Sequence, residues 1–188
     1  MPLVLSGSTS GSITIDTPAV AGTNTLTIPA STGTALVAPT ALTVPNTTGT
    51  VMVSGNMPAF SASPSGTQSV SIGIFTKILF QTEAFDTNNN FASSTFTPTV
   101  AGYYQVNATV YCAGSNGTYA RGFIYKNGSI FKAVGVQTSS AGYAMQLAEV
   151  IYMNGSTDNL EVYCFLGAAD TANTPYGSSF SASMVRAA

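Results

Sequence analysis

The chain has 188 residues, 45% of them hydrophobic and only 6% charged, with a formal net charge of −2. Five basic side chains, Lys77, Arg121, Lys126, Lys132 and Arg186, are too few for the cationic stripe that nucleic-acid binding demands, and no apolar run reaches membrane-spanning length. Neither nucleic acid nor membrane is expected as a partner, and the lack of any histidine removes Ser/His and Cys/His catalytic pairs.

The opening Met1-Pro2-Leu3-Val4-Leu5 has no basic start and breaks into Ser and Gly, so no signal peptide is expected. Ser12 to Asp16 reads as a short strand. Leu26-Thr-Ile-Pro-Ala-Ser-Thr-Gly-Thr-Ala-Leu-Val37 then recurs sixteen residues later as Leu42-Thr-Val-Pro-Asn-Thr-Thr-Gly-Thr-Val-Met-Val53. Each copy reads as a strand, a Pro/Gly turn and a second strand. Units this small cannot bury an apolar face alone, so they must pack on other chains or on a larger surface. Residues 1–55 are therefore read as an extended, β-rich attachment segment. Leu26, Ile28, Val37, Leu42, Val44 and Val53 are its candidate attachment side chains.

Nearly all the Tyr and Phe follow, and residues 56–188 are read as an all-β domain. Ser71 to Phe80 and Gly102 to Cys112 carry β-branched and aromatic residues at strand density. Three Asn-Gly pairs, at Asn116, Asn127 and Asn154, favour tight hairpins because both residues tolerate positive φ. The second predicts a hairpin from Gly122 to Lys132. The third predicts that Met145–Asn154 pairs with Asp158–Leu166. This spacing of strands argues a sandwich or jelly roll, and no segment has helical periodicity with caps.

Residues that could carry chemistry are sparse. Asp86-Thr-Asn-Asn-Asn90 begins like a calcium loop, but Phe91 and Thr97 stand where such a loop needs Gly and Glu, so a polar turn is expected. Glu149 and Glu161 would face each other across the Asn154-Gly155 hairpin and are expected to meet solvent or basic side chains rather than form a catalytic pair. Cys112 and Cys164 sit in strand-like aromatic runs and are expected to be buried thiols. No enzyme activity, metal or cofactor is expected.

Met57-Pro-Ala-Phe-Ser-Ala62 resembles the opening strand of the globular head domains of the first complement component and their tumour-necrosis-factor-like relatives. Phe80, Asp86 and Phe91 fit the family spacing, and Phe96, Gly102 and Tyr104 match its next motif. Ser178 to Arg186 resembles its last strand. The chain departs in a gap two residues shorter between Phe91 and Phe96, and in Val106 and Ala108, where the family has aromatics. The resemblance implies a ten-stranded jelly roll that associates as a trimer through an aromatic-rich axis. Phe60, Phe80, Phe91, Phe96, Gly102 and Tyr104 are then the trimer or core candidates.

Gly7 to Ile15, Pro18 to Pro29 and Thr32-Gly-Thr34 are similar to segments of tailed-phage fibre and decoration proteins. Together the two resemblances imply a structural virion protein, made in the host cytoplasm and carried on the capsid surface. It would be a homotrimeric decoration (cement) protein or head fibre whose partner is the major capsid protein. The alternative is a tail-fibre tip, joined to a tail or fibre protein, that recognises a host surface glycan.

Overall fold

The computed structural model describes residues 3–6, 12–15, 52, 55, 57–113, 119–137, 142–167, 170–172 and 177–188. The chain divides into two compact units, Met1–Pro45 and Asn46–Ala188. In the first, β1 (Leu3–Ser6) and β2 (Ser12–Ile15) pair antiparallel, Leu3 opposite Ile15 and Ser6 opposite Ser12. The division falls before the boundary expected at residue 55. Met52 packs on the second unit's core, and the Gly55 carbonyl accepts a hydrogen bond from Asn88 Nδ2.

The second unit is an all-β sandwich with no α-helix among the described residues. Its long strands are β3 (Ala59–Ser63), β6 (Thr82–Asp86), β9 (Gly102–Cys112), β10 (Tyr119–Lys126), β11 (Ser129–Gln137), β12 (Tyr143–Met153), β13 (Leu160–Leu166) and β15 (Ser179–Ala187). Two- or three-residue pieces extend them: β4 (Gln68–Val70), β5 (Thr76–Lys77), β7 (Phe91–Ala92), β8 (Thr95–Phe96) and β14 (Asp170–Ala172). One sheet runs β12–β9–β15–β3–β6, with β14 and β4 continuing beside β9. The other runs β11–β10–β13–β8–β7, with β5 also on β13.

Alternation decides which side chains fill the space between the sheets. Along β9, Tyr104, Val106, Ala108, Val110 and Cys112 point inward and are buried, while the residues between them face out. β13 supplies Leu160, Val162, Cys164 and Leu166 from the opposite sheet. Phe60 forms the centre of an aromatic cluster, stacked on Phe91 (4.3 Å between centroids) and Phe96 (4.6 Å) and edge-on to Phe180 (4.9 Å). Such pairs contribute about 0.5–1.5 kcal/mol each beyond their area burial.

The hairpin expected around Asn127-Gly128 forms, and three other expectations are corrected. The Asn127-Gly128 turn has both residues at positive φ (53° and 74°) and joins β10 to β11 as a tight hairpin. At Asn154-Gly155 only the glycine has positive φ, and no hairpin forms. Instead Asn154 Oδ1 accepts from the backbone N–H groups of Ser156, Thr157 and Asp158. That wider turn carries the chain from one sheet to the other, so β12 pairs with β9 while β13 pairs with β10. Glu149 and Glu161 consequently lie in different sheets rather than facing each other.

The third correction concerns Ser71–Phe80, which is no continuous strand. Gly73 turns at φ 70°, and only Thr76–Lys77 pairs as a strand, leaving Ile72, Ile74 and Phe75 exposed while Ile78 and Phe80 enter the core.

Candidate functional site

The outward faces of the four strands β12, β9, β15 and β3 form one continuous surface. Cross-strand register sets it in rows: Tyr152 beside Tyr103, Val150 beside Gln105 beside Ser183, and Ala148 beside Asn107 beside Ser181 beside Ser61. Phe85 on β6 completes the last row opposite Ser61. No outward side chain in these rows is charged, and Arg186 marks the end of the face opposite Tyr103. Tyr103, Val150, Tyr152 and Phe85 keep 42–50% of their surface in water.

The sequence makes this face uncharged through simple strand chemistry. β15 alternates Ser179, Ser181 and Ser183 outward with Phe180, Ala182 and Met184 inward. β12 places Ala144, Gln146 and Ala148 outward against the polar positions of β9. Tyr103 and Tyr152 meet with centroids 5.5 Å apart. Between Phe85 and Ser183 the short serine side chains leave a depression of about 250 Å³, lined also by Asn107 and Ser181, with Phe60 and Ala182 at its floor. A surface of this kind binds by shape and apolar burial, with no ion to strip of water.

Six charged groups form three ion pairs away from this face. Lys77 Nζ donates to Glu161 Oε1 at 2.6 Å and to Thr95 Oγ1 at 2.7 Å, and Tyr163 Oη donates to Glu161 Oε2 at 3.2 Å. Burial works to raise the Glu161 carboxyl, but the hydrogen bonds from Lys77 and Thr95 and the lysine charge outweigh it and hold the pKa below its ordinary value. Asp158 is held low in the same way: burial opposes, while Asn127, Lys126 and the Asn154 N–H prevail. Glu149 pairs with Lys132 and ties β12 to β11, the free edges of the two sheets. None of these carboxylates faces another, which is the arrangement a glycosidase pair requires.

Phe60, Phe80, Phe91, Phe96, Gly102 and Tyr104 are all brought together inside a single chain, with Phe60 and Phe80 each 1% exposed and Phe96 and Tyr104 fully buried. Buried in this way, these side chains are core residues of the single chain and are not presented at its surface. Tyr103, Val150, Tyr152 and Phe85 are the residues that sequence reasoning missed. Their signal was the alternation itself, since a buried Tyr104 sends Tyr103 to the opposite face. Leu26, Ile28, Val37, Leu42, Val44 and Val53 lie outside the described residues. The Asp86–Asn90 segment is a polar turn: Asp86 Oδ1 accepts from the Asn88 N–H and Oδ2 from the Phe91 N–H at 2.7 Å. Among the described residues no cluster of His, Cys, Asp or Glu has the grouping of a metal site.

No protein-family model matches the chain, and no curated protein matches it. Solved structures do. Murine APRIL superposes with a TM-score of 0.56 at 12% identity, covering 69% of this chain and 99% of its own. The globular domain of zebrafish complement 1qA gives 0.54 at 16%, covering 70% and 99%. Vertex protein P5 of the phage PRD1 gives 0.51 at 19%, covering 70% and 98%. At these identities the likeness establishes the fold, a jelly roll of the tumour-necrosis-factor and complement-head kind.

Proposed function

We propose that this protein is a non-enzymatic, homotrimeric component of a bacteriophage virion, acting as a capsid decoration (cement) protein or head fibre. The observation that carries the reading is the uncharged β12–β9–β15–β3 face, with Tyr103, Val150 and Tyr152 exposed on a rigid sheet. Three copies related by a closed rotation bury that face against one another, each meeting its neighbour through unlike edges of the same surface. The PRD1 vertex protein supports the virion setting, because the same fold occurs there in a vertex protein. The N-terminal segment holds the trimer to the major capsid protein. Binding to the assembled shell rather than to free subunits stabilises the shell by mass action.

Light scattering on the purified full-length chain tests the trimer. The expected mass is three times the 19.2 kDa of one chain, and Val150→Asp is expected to yield folded monomer. A wild-type monomer at micromolar concentration overturns the reading. Gold labelling of intact particles then tests location: label on the capsid supports cement, and label confined to the tail tip replaces it with the adhesin.

A further inference from the structure

The second sheet also carries an unusual outward face. Register places Arg121 between Gly135 and Phe165, and Phe123 between Ala133 and Tyr163. Tyr119 and Phe165 lie nearly parallel, 5.9 Å between centroids at 16°, and Phe75 leans onto Phe123 (5.1 Å) and Phe165 (5.0 Å) from the preceding loop. This aromatic slab covers Phe123 almost completely, yet leaves Tyr119 50% and Phe75 46% exposed. Opposite Arg121 and Phe123, β11 offers Gly135 and Ala133, so the sheet steps down there, with Gln137 at the register position opposite Tyr119. A Cβ at Gly135 would meet nothing closer than Arg121 Cγ at 3.6 Å.

Arg121 stands at that step, its guanidinium 5.5 Å from the Tyr119 ring centroid. Among the described residues each lysine is ion-paired, Lys77 to Glu161, Lys126 to Asp158 and Lys132 to Glu149, and no carboxylate pairs with Arg121. A guanidinium beside an exposed ring has a planar fork of donors ready for a carboxylate or similar anion. The step is shallow and half apolar. It fits a flat ligand that presents a C–H face to an aromatic ring and a carboxylate to the cation, which describes an acidic sugar. A peptide strand added to the free edge of β11 would lie beyond Gly135, one strand away from Arg121.

We propose that this step binds a carboxylate-bearing sugar, with Arg121 holding the carboxylate and Tyr119 stacking on the sugar ring. The site lies on the sheet opposite the trimer face and does not depend on where the particle carries the protein.

Calorimetric titration of the full-length chain at low salt tests it, with 3′-sialyllactose and tri-galacturonate as acidic probes, lactose as the neutral one, and hexaglutamate as an acidic peptide. An acidic sugar is expected to bind in the millimolar range, about tenfold tighter than lactose, and to weaken with added salt. Arg121→Gln should lose that tenfold preference, Arg121→Lys part of it, and Tyr119→Ala should weaken binding where Tyr119→Phe retains it. Gly135→Gln, which the open step accommodates, should block the sugar. Equal binding of lactose, wild-type binding by Arg121→Gln, preference for hexaglutamate, or no binding of either acidic sugar at roughly 10 mM overturns the proposal. Masses measured on the same samples report the trimer separately, so either idea can fail alone.

Discussion

Tyr104 Oη donates to the Val100 carbonyl at 2.7 Å, so the hydroxyl of a fully buried ring fastens the segment leading into β9. The ring also meets Phe96 edge-on at 5.5 Å. Burial pushes the phenol well above its ordinary pKa, and it stays protonated for as long as the fold lasts. Tyr104→Phe keeps the packing and removes one bond, at a cost of about 1 kcal/mol. Tyr104→Ala also empties the ring's volume, at about 3–5 kcal/mol. Urea unfolding of the two variants separates these contributions, and equal losses would contradict the division between bond and ring.

Gly102 begins β9 in close quarters. A Cβ there would lie 2.5 Å from the Arg186 carbonyl oxygen and 2.9 Å from Met184 Cε. The methionine can swing away, but the β15 backbone is held by its own ladder. Gly102→Ala is therefore expected to destabilise by about 1–3 kcal/mol, whereas Gly135→Ala, with only ordinary contacts, should be nearly neutral. Thermal melts of the pair check the contrast.

Acid should weaken the sandwich through Glu161 and Asp158. Both carboxyls titrate lower in the folded chain than in the unfolded one, where they sit near 4.3 and 3.9. Their stabilisation is thus complete above about pH 5 and disappears as pH falls through those values toward the folded ones. Glu161→Gln should flatten the acid limb of the stability profile while lowering stability at pH 7, because Lys77 loses its partner. An unchanged acid limb would remove Glu161 from the account.

Cys112 and Cys164 form no disulfide and are both fully buried. Burial, and then the neighbouring Cys112, push the Cys164 thiol up to about 12. At pH 8 a thiol reagent should leave the native chain unmodified and label both cysteines in denaturant. Rapid labelling of the native chain would contradict this burial.

Much of the β domain was legible along the chain because strand physics is local. Alternation in 102–112 marks β9 and its buried residues, and Asn127-Gly128 marks its hairpin by shared tolerance of positive φ. The resemblance that Phe80, Asp86, Phe91 and Tyr104 carry to the complement-head and tumour-necrosis-factor-like domains implied the jelly roll. Partner choice between strands was not legible. Asn154-Gly155 looks like Asn127-Gly128, yet three N–H bonds to Asn154 Oδ1 turn it into a crossing between sheets. That is a property of the folded turn and not of the dipeptide. The same holds for the two outer faces. Sequence says which residues alternate outward, but only the pairing of strands distant in the chain sets Tyr103 beside Tyr152 and Arg121 beside Phe165. Such neighbours are made by register across the sheets, and register is decided by the whole buried core at once.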